Sequence, residues 1–431
     1  MIPMVPELPA DILNQARQAF HSDDAPAIRN LLDQHPDFKA HINDPIGPFN
    51  SPAIMGVRSR AMLDALLDAG ADINARSKWW AGGFGILDCA SPELAAYAIE
   101  RGATITAHAA ARLGMLDALR ALISVDPALV HARGGDGQMP LHFAATVAIA
   151  DYLLDHGADI DARDVDHEST PVQYMIGKRQ DVARHLVQRG CKIDILAAAA
   201  LDDIELAGRI LHAEPEAIRM RVDDEHFPRV NPHSGGTIYQ WELGWHVSAV
   251  QIARKFDHQE MVDFLMARSP ADEKLINACW LHDEALVRSL LAPDPEIATA
   301  LTPAGRRQLA HAARNNDTGA ARLMLEAGLP FDTHGQHHAT PLHWAAWHGN
   351  AELVRLILHH KPPLDDISND YQGTAAHWAI HGSTGGWYLP SGEHAAALEL
   401  LLDAGVPHPG EVFGAEAVQE VLRRCADGAR S

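Results

Sequence analysis

The feature that most constrains the fold of this chain is a repeat of about 33 residues. One complete unit runs from Thr340 to Leu358, where Thr-Pro-Leu-His-Trp-Ala-Ala precedes a segment rich in Leu and Val. Degraded copies of this unit follow one another along nearly the whole chain. Chains of this kind stack helix pairs that are buried only against their neighbours. We therefore expect function on one exposed face, or in the segments that interrupt the repeat.

Local signals in each unit favour a pair of α-helices. A Thr before Pro, as at Thr340 and Thr170, is an N-cap followed by a first-turn proline. Apolar residues at Leu353, Leu356 and Ile357 have the spacing of one buried helix face. A glycine suited to the left-handed residue that ends a helix follows six second helices, at Gly70, Gly102, Gly157, Gly190, Gly328 and Gly405.

These residues resemble the ankyrin repeat, which begins with Thr-Pro-Leu-His-x-Ala-Ala and ends with Gly-Ala-Asp-Ile-Asn-Ala. The beginning occurs at 340–346 and 139–145, and the tail at 70–75 and 157–162. The resemblance extends over about eleven to twelve degenerate repeats of bacterial type. It implies an all-α ankyrin-repeat solenoid with β-hairpin-like loops, one longer hairpin insertion and a protein-binding function.

We expect one domain over residues 1–431, because each unit needs only its neighbours. Four segments depart from the repeat: an N-terminal cap at 9–42, a hairpin insertion at 223–246, a loop insertion at 382–393 and a C-terminal cap at 410–431.

Composition narrows the function classes. A net charge of −22 disfavours binding to nucleic acid, which needs clustered Lys and Arg. Four unpaired cysteines, no signal-peptide pattern and no apolar run of membrane-spanning length favour a cytoplasmic protein that binds no membrane. The use of Ala and Arg with little Lys favours a bacterial source. We expect no cofactor.

The insertion at 223–246 contains two Trp, one Tyr, three His and four carboxylates. A Gly-Gly turn before Thr-Ile-Tyr-Gln-Trp predicts an extended hairpin. Its aromatic residues either cover adjacent helices or form a lid over a groove, and the candidate binding residues are Tyr239, Trp241 and Trp245. If the chain is an enzyme, the candidate catalytic residues are Asp223, Asp224, His226 and His246.

Other aromatic and histidine residues are candidates for ligand binding. Trp79 and Trp80 lie at an early loop tip, and Trp387 and Tyr388 lie in the glycine-rich second insertion. Both pairs could instead serve packing. A stripe along the first helices of neighbouring repeats contains His311, Trp344, Trp347, His348 and His381.

The sequence contains no strong metal or catalytic motif. His377 and His381 lie four residues apart, but His377 occupies the structural His position of the repeat. The histidines of 334–338 are typical of a solvated turn. We therefore predict no metal site.

We expect a non-enzymatic scaffold that binds a protein or peptide through its concave groove and hairpin tips. The alternative is a small-molecule-binding protein or enzyme with an acid–base pocket beneath 223–246, such as a metal-independent lyase or hydrolase acting on a sugar-like substrate. A third hypothesis is an antitoxin-like partner whose acidic surface masks a basic protein.

Overall fold

The computed structural model describes residues 9–45, 47–387 and 392–428. Within these ranges the chain forms α-helices and short 3₁₀ helices and no β-strand, which confirms the prediction of an all-α repeat fold. None of the described helices is both long and apolar enough to cross a lipid bilayer.

The chain divides into two compact units. The first contains Met1–Leu201 and Val222–Gly244, and the second contains Asp202–Arg221 and Trp245–Ser431. The expectation of one continuous domain stays a prediction.

The first unit is a series of short helices, most of them paired. Its α-helices are Ala10–His21, Ala25–Gln34, Pro36–Ala40, Arg60–Asp68, Ile86–Cys89, Pro92–Glu100, Ala107–Arg112, Leu116–Val125, Val147–Asp155, Pro171–Met175, Gln180–Gln188, Ile195–Ala200 and Tyr239–Glu242. Its 3₁₀ helices are Pro48–Asn50, Ala53–Gly56, Pro127–His131, Gly135–Gly137 and Pro140–Phe143.

The second unit has the same construction. Its α-helices are Ile204–Ala213, Ala249–Lys255, Gln259–Arg268, Ala271–Trp280, Glu284–Leu291, Pro303–Arg306, Gln308–Arg314, Thr318–Glu326, Pro341–Trp347, Ala351–His359, Ala375–Gly385, His394–Ala404 and Glu416–Gly428. Its 3₁₀ helices are Pro215–Arg219, Ile297–Thr299 and Gln336–His338.

Helix boundaries follow the local signals in the sequence. The Thr340 hydroxyl accepts a hydrogen bond from the His343 amide, and the His343 ring accepts one from the Thr340 amide. The six glycines predicted to end second helices all have a positive φ, between 86° and 102°. These positions therefore adopt the left-handed conformation expected of them.

Small residues let the helices of neighbouring repeats pack closely. In the second unit Ala312, Ala313, Ala345, Ala346 and Ala376 are fully buried within one apolar core. The first unit has a core of the same kind from Ile12 to Ala109, built on Leu, Ile and Ala. This core fixes the spacing of successive first helices and hence the places of the loops between them.

The histidines at the fourth position of the segments 139–142 and 340–343 connect neighbouring repeats. His142 Nε2 lies 3.2 Å from the Ser169 carbonyl oxygen, and His343 Nε2 lies 3.1 Å from the Gly373 carbonyl oxygen. Both residues therefore have the structural role that the repeat pattern indicated.

The insertion at 223–246 does not form the predicted hairpin. It consists of turns and the four-residue helix Tyr239–Glu242. The amides of Val230 and Asn231 donate to the Glu168 carboxylate, and the Ile238 amide donates to the Ser169 hydroxyl. Because these amides bond to the loop at 164–169, they are not available for a strand ladder.

The second insertion is shorter than predicted, because the helix Ala375–Gly385 includes its first residues. Gly382 lies against the preceding repeat, where an added Cβ would come within 2.1 Å of the Trp347 carbonyl oxygen. Glycine is needed here for close helix packing rather than for a flexible loop.

Candidate functional site

The second unit contains an aromatic pocket between two successive repeats. The cavity has a volume of about 700 Å³. Its lining residues are His337, Trp344, Trp347, Tyr371, Gln372, Gly373, His377, Trp378, His381, Thr384, Gly385 and Trp387. They come from the first helices Pro341–Trp347 and Ala375–Gly385, from the loops that precede them, and, for Trp387, from the segment after the second of these helices.

Four indole rings form the walls of the aromatic pocket. Trp344 and Trp378 meet edge to face with their ring centroids 5.1 Å apart. Trp387 is stacked on Trp344 at 5.8 Å and lies edge-on to Trp347 at 6.4 Å. Tyr371 contacts Trp378 at 5.5 Å. Contacts of this kind hold the rings in fixed orientations, so the pocket is preformed.

The pocket has a buried floor and an open mouth. Trp344 is only 2% exposed, whereas Trp387 is 55% exposed. The Arg314 guanidinium lies 4.8 Å from the centre of the Trp387 ring, which is within cation–π distance. One face of Trp387 therefore packs on Arg314 while part of the residue stays accessible.

The ionisable groups that line this pocket are histidines. His337 Nδ1 lies 3.0 Å from the Asp370 carboxylate. Burial lowers the pKa of His377, and the neighbouring His381 lowers it further. A pocket lined mostly by aromatic rings suits a ligand that presents an apolar surface.

The first unit contains a cluster of ionisable groups where the insertion meets two earlier loops. His167 Nε2 lies 3.9 Å from a carboxylate oxygen of Asp136 and 3.7 Å from one of Asp166. The pKa of Asp136 is raised to about 6, chiefly by burial and also by the charges of Asp166 and Asp164, against the lowering effect of His167. We call Asp136, Asp166 and His167 the acidic cluster.

The family model described as ankyrin repeats (3 copies) matches residues 107–197, 275–368 and 309–407, which together are just over half of the chain. The chain belongs to the ankyrin-repeat family. No curated protein matches it significantly. Ankyrin repeats generally form protein-binding scaffolds, and the stacked helix pairs described above have that architecture.

Several predicted binding residues of this ankyrin chain come together in the aromatic pocket. Trp344, Trp347, His381 and Trp387 all line it. Tyr388 lies outside the described residues. Sequence reasoning missed Tyr371, Trp378 and His337, although Trp378 follows His377 as Trp344 follows His343, and this correspondence between two ankyrin units could have identified it.

Two predicted residues of the stripe lie inside the ankyrin stack. His348 is buried, and its ring donates a hydrogen bond to the Arg314 carbonyl oxygen. Burial lowers the pKa of His348 to about 4. His311 is buried and stacks on His246 with the ring centroids 3.5 Å apart.

His246 and Trp245 belong to the second unit, and both are buried there. His246 has a positive φ of 62°, and burial and then the charge of His311 hold its pKa well below the ordinary value. Neither ring nitrogen of His246 has a hydrogen-bond partner in the described structure.

The other predicted residues of the insertion belong to the first unit. His226 Nδ1 lies 2.8 Å from a carboxylate oxygen of Asp223, which is hydrogen-bond distance. The Asp224 carboxylate lies 3.6 Å from Arg229 Nε. The structure thus brings Asp223 and His226 together.

The aromatic residues of the insertion have opposite environments. Tyr239 is fully buried, and its hydroxyl donates to the Asp194 carboxylate at 3.1 Å. Trp241, two residues later, is 71% exposed. Tyr239 therefore anchors the insertion, whereas Trp241 is accessible to a ligand.

Trp79 and Trp80 lie beside the insertion within the first unit. Trp79 packs against Phe49 with ring centroids 5.0 Å apart, and the exposed Trp80 lies 5.9 Å from His233. Trp79 is partly buried by these contacts, so Trp80 is the more accessible of the two.

The acidic cluster was not predicted from the sequence. Asp136 and Asp166 lie about one repeat apart, in consecutive inter-repeat loops, and His167 directly follows Asp166. The recurrence of Asp at these tips was the available signal.

Proposed function

We propose that this protein is a scaffold that binds a protein or peptide partner, and that the aromatic pocket receives an apolar anchor side chain of that partner. The observation that supports the proposal is the preformed pocket of four indole rings, with its buried floor and exposed Trp387. It is built from the first helices and preceding loops of two successive repeats, which are the surfaces by which an ankyrin scaffold would contact a partner.

The size and chemistry of the pocket suit this role. Fully burying one apolar side chain contributes about 1.5–3 kcal/mol, and Trp is enriched among the residues that dominate binding energy. A volume of about 700 Å³ accommodates one large side chain together with the neighbouring backbone.

The net charge of the chain also restricts the kind of partner. The net charge of −22 favours a partner with a basic surface and disfavours nucleic acid or an anionic membrane. We propose that the protein meets such a partner in the cytoplasm.

The test is selection of peptides from a displayed random library on the full chain. Selected peptides should share an aromatic or aliphatic anchor, and Trp387→Ala should weaken their binding at least 30-fold, which corresponds to about 2 kcal/mol. Trp241→Ala is the matched control, since it removes another exposed Trp from the other unit. Peptides that bind the Trp387→Ala variant as tightly as the unmodified protein would contradict the proposal.

A second candidate is a small-molecule acid–base site at the insertion, and the contact of 2.8 Å between Asp223 and His226 favours it. A thermal-shift screen of small polar metabolites, including sugars, distinguishes the two. Stabilisation that is lost in Asp223→Asn and Trp241→Ala but retained in Trp387→Ala would support this candidate over the peptide scaffold.

A further inference from the structure

The acidic cluster brings together three groups that can bind a metal ion. One ligand atom from each of Asp136, Asp166 and His167 lies within 4.8 Å of the other two. The backbone holds these residues in place, because the Asp136 carbonyl oxygen accepts a hydrogen bond from the Asp166 amide at 3.1 Å. The ligand atoms are therefore presented by two rigidly joined loops.

The orientation of His167 is set by the insertion. Its Nδ1 lies 2.8 Å from the Gly236 carbonyl oxygen, which can only accept, so Nδ1 carries the hydrogen. In the neutral ring Nε2 then presents its lone pair to the carboxylates of Asp136 and Asp166 at 3.9 and 3.7 Å. These distances are too long for hydrogen bonds. A histidine that binds a metal usually donates its other ring N–H to a carboxylate, a backbone carbonyl or water, as His167 does to Gly236.

Asp166 is a mostly buried residue, and one of its two carboxylate oxygens accepts no hydrogen bond from the described residues. The residue is 6% exposed, and its Oδ1 accepts from the Gly235 amide. In the described ranges Oδ2 accepts no hydrogen bond, and neither Asp136 nor Asp166 forms an ion pair with Lys or Arg. The nearby Asp164 carboxylate is occupied by the Ser169 amide and the Tyr174 hydroxyl. Buried carboxylates are ordinarily paired with a cation or a metal.

The second unit contains the same backbone arrangement with different chemistry. There the His337 carbonyl oxygen accepts a hydrogen bond from the Asp370 amide at 3.0 Å, just as the Asp136 carbonyl oxygen accepts one from the Asp166 amide. His337 and Asp136 have almost the same positive φ, 58° and 54°. In the second unit an imidazole contacts the carboxylate directly, at 3.0 Å. In the first unit the corresponding position places a second carboxylate there, and a bound cation would offset the repulsion between the two like charges.

We propose that Asp136, Asp166 and His167 bind one divalent transition-metal ion, with water completing its coordination. Two carboxylates and one imidazole are a mixed oxygen and nitrogen donor set that suits Mn²⁺ and Zn²⁺ better than Ca²⁺. The ion joins two inter-repeat loops to the insertion, because His167 and Asp166 both bond to the backbone at 235–236. This inference departs from the sequence-based prediction of no metal site, and it is independent of the aromatic pocket.

The test is Mn²⁺ binding to the full chain after treatment with chelator, measured by electron paramagnetic resonance of the free ion. We expect one saturable site, and a rise in the melting temperature on addition of Mn²⁺. Asp136→Asn and His167→Gln should each weaken binding at least tenfold. Asn tolerates the positive φ of residue 136, so the Asp136→Asn variant should keep its fold, which circular dichroism without metal would verify.

Asp370→Asn is the matched control, since it changes the corresponding loop of the second unit and should leave Mn²⁺ binding unaltered. Equal binding in all variants would show an adventitious ion only, and absence of binding to the unmodified protein would show that the acidic cluster is not a metal site. Either result overturns the proposal. Retained binding in Trp387→Ala would separate this site from the aromatic pocket.

Discussion

Breaking a buried ion pair in the second unit is expected to reduce strongly the local stability of that unit. Arg221 and Glu273 are joined at 2.7 Å, and each side chain is 3% exposed. Arg219 also reaches the Glu273 carboxylate, at 3.5 Å. Replacing Glu273 by Gln keeps the shape and one hydrogen-bond acceptor but leaves the Arg221 charge without its counterion.

The loss of stability expected for Glu273→Gln follows from the burial of this ion pair. Breaking a buried pair by removing one partner costs about 3–5 kcal/mol. Gln retains a neutral acceptor for Arg221, so we expect the lower end, about 3 kcal/mol. That corresponds to a roughly 150-fold larger population of the opened state.

The assay is hydrogen exchange of the helix Ala271–Trp280, which contains Glu273, because local opening free energies can be read from it in a large repeat protein. Glu284→Gln is the control, since Glu284 pairs with Arg322 at the surface and its loss should not change exchange measurably.

Two results would refute the reasoning. One is unchanged exchange of this helix in Glu273→Gln. The other is a double variant, Arg221→Met with Glu273→Leu, that is as unstable as the single variant. Removing both charges should recover most of the loss if an uncompensated buried charge is its cause.

Two further predictions concern stability. Burial lowers the pKa of both His142 and His348 to about 4. In the unfolded chain these histidines bind protons near pH 6.5, whereas in the folded chain they do so only near pH 4. The two histidines should therefore cost no stability above about pH 7, and the free energy of unfolding should fall as the pH drops from 6.5 to 4, by about 2 kcal/mol per histidine at pH 5. Urea unfolding at pH 7 and pH 5 should show a smaller loss of stability in His142→Gln than in the unmodified protein. An equal loss in the two proteins would contradict the pKa of His142 as the cause. Tyr239→Phe should cost about 1–3 kcal/mol in the same assay, because it removes the hydroxyl of a fully buried side chain that bonds to the half-buried Asp194. Tyr371→Phe, at an exposed position, should be neutral.

Much of the architecture could be predicted because its signals are local. The N-cap at Thr340, the proline after it and the glycines after second helices each act within one helical turn. Repetition of these signals predicts the stack of helix pairs without knowledge of any distant contact. The same repetition placed Trp344 and Trp347 on one helix face, and hence predicted part of the aromatic pocket.

Contacts between residues far apart in the sequence decided the rest. Tyr239 and Trp241 are two residues apart and equally aromatic, yet one is fully buried and the other exposed. The insertion became turns instead of a hairpin because its amides bond to the loop at 164–169. The amino-acid sequence alone determined the helices, their ends and the repeating core, since these depend on near neighbours. Only the tertiary structure decided which rings enclose the pocket and which carboxylates meet His167, since burial and electrostatic pairing depend on groups from other repeats.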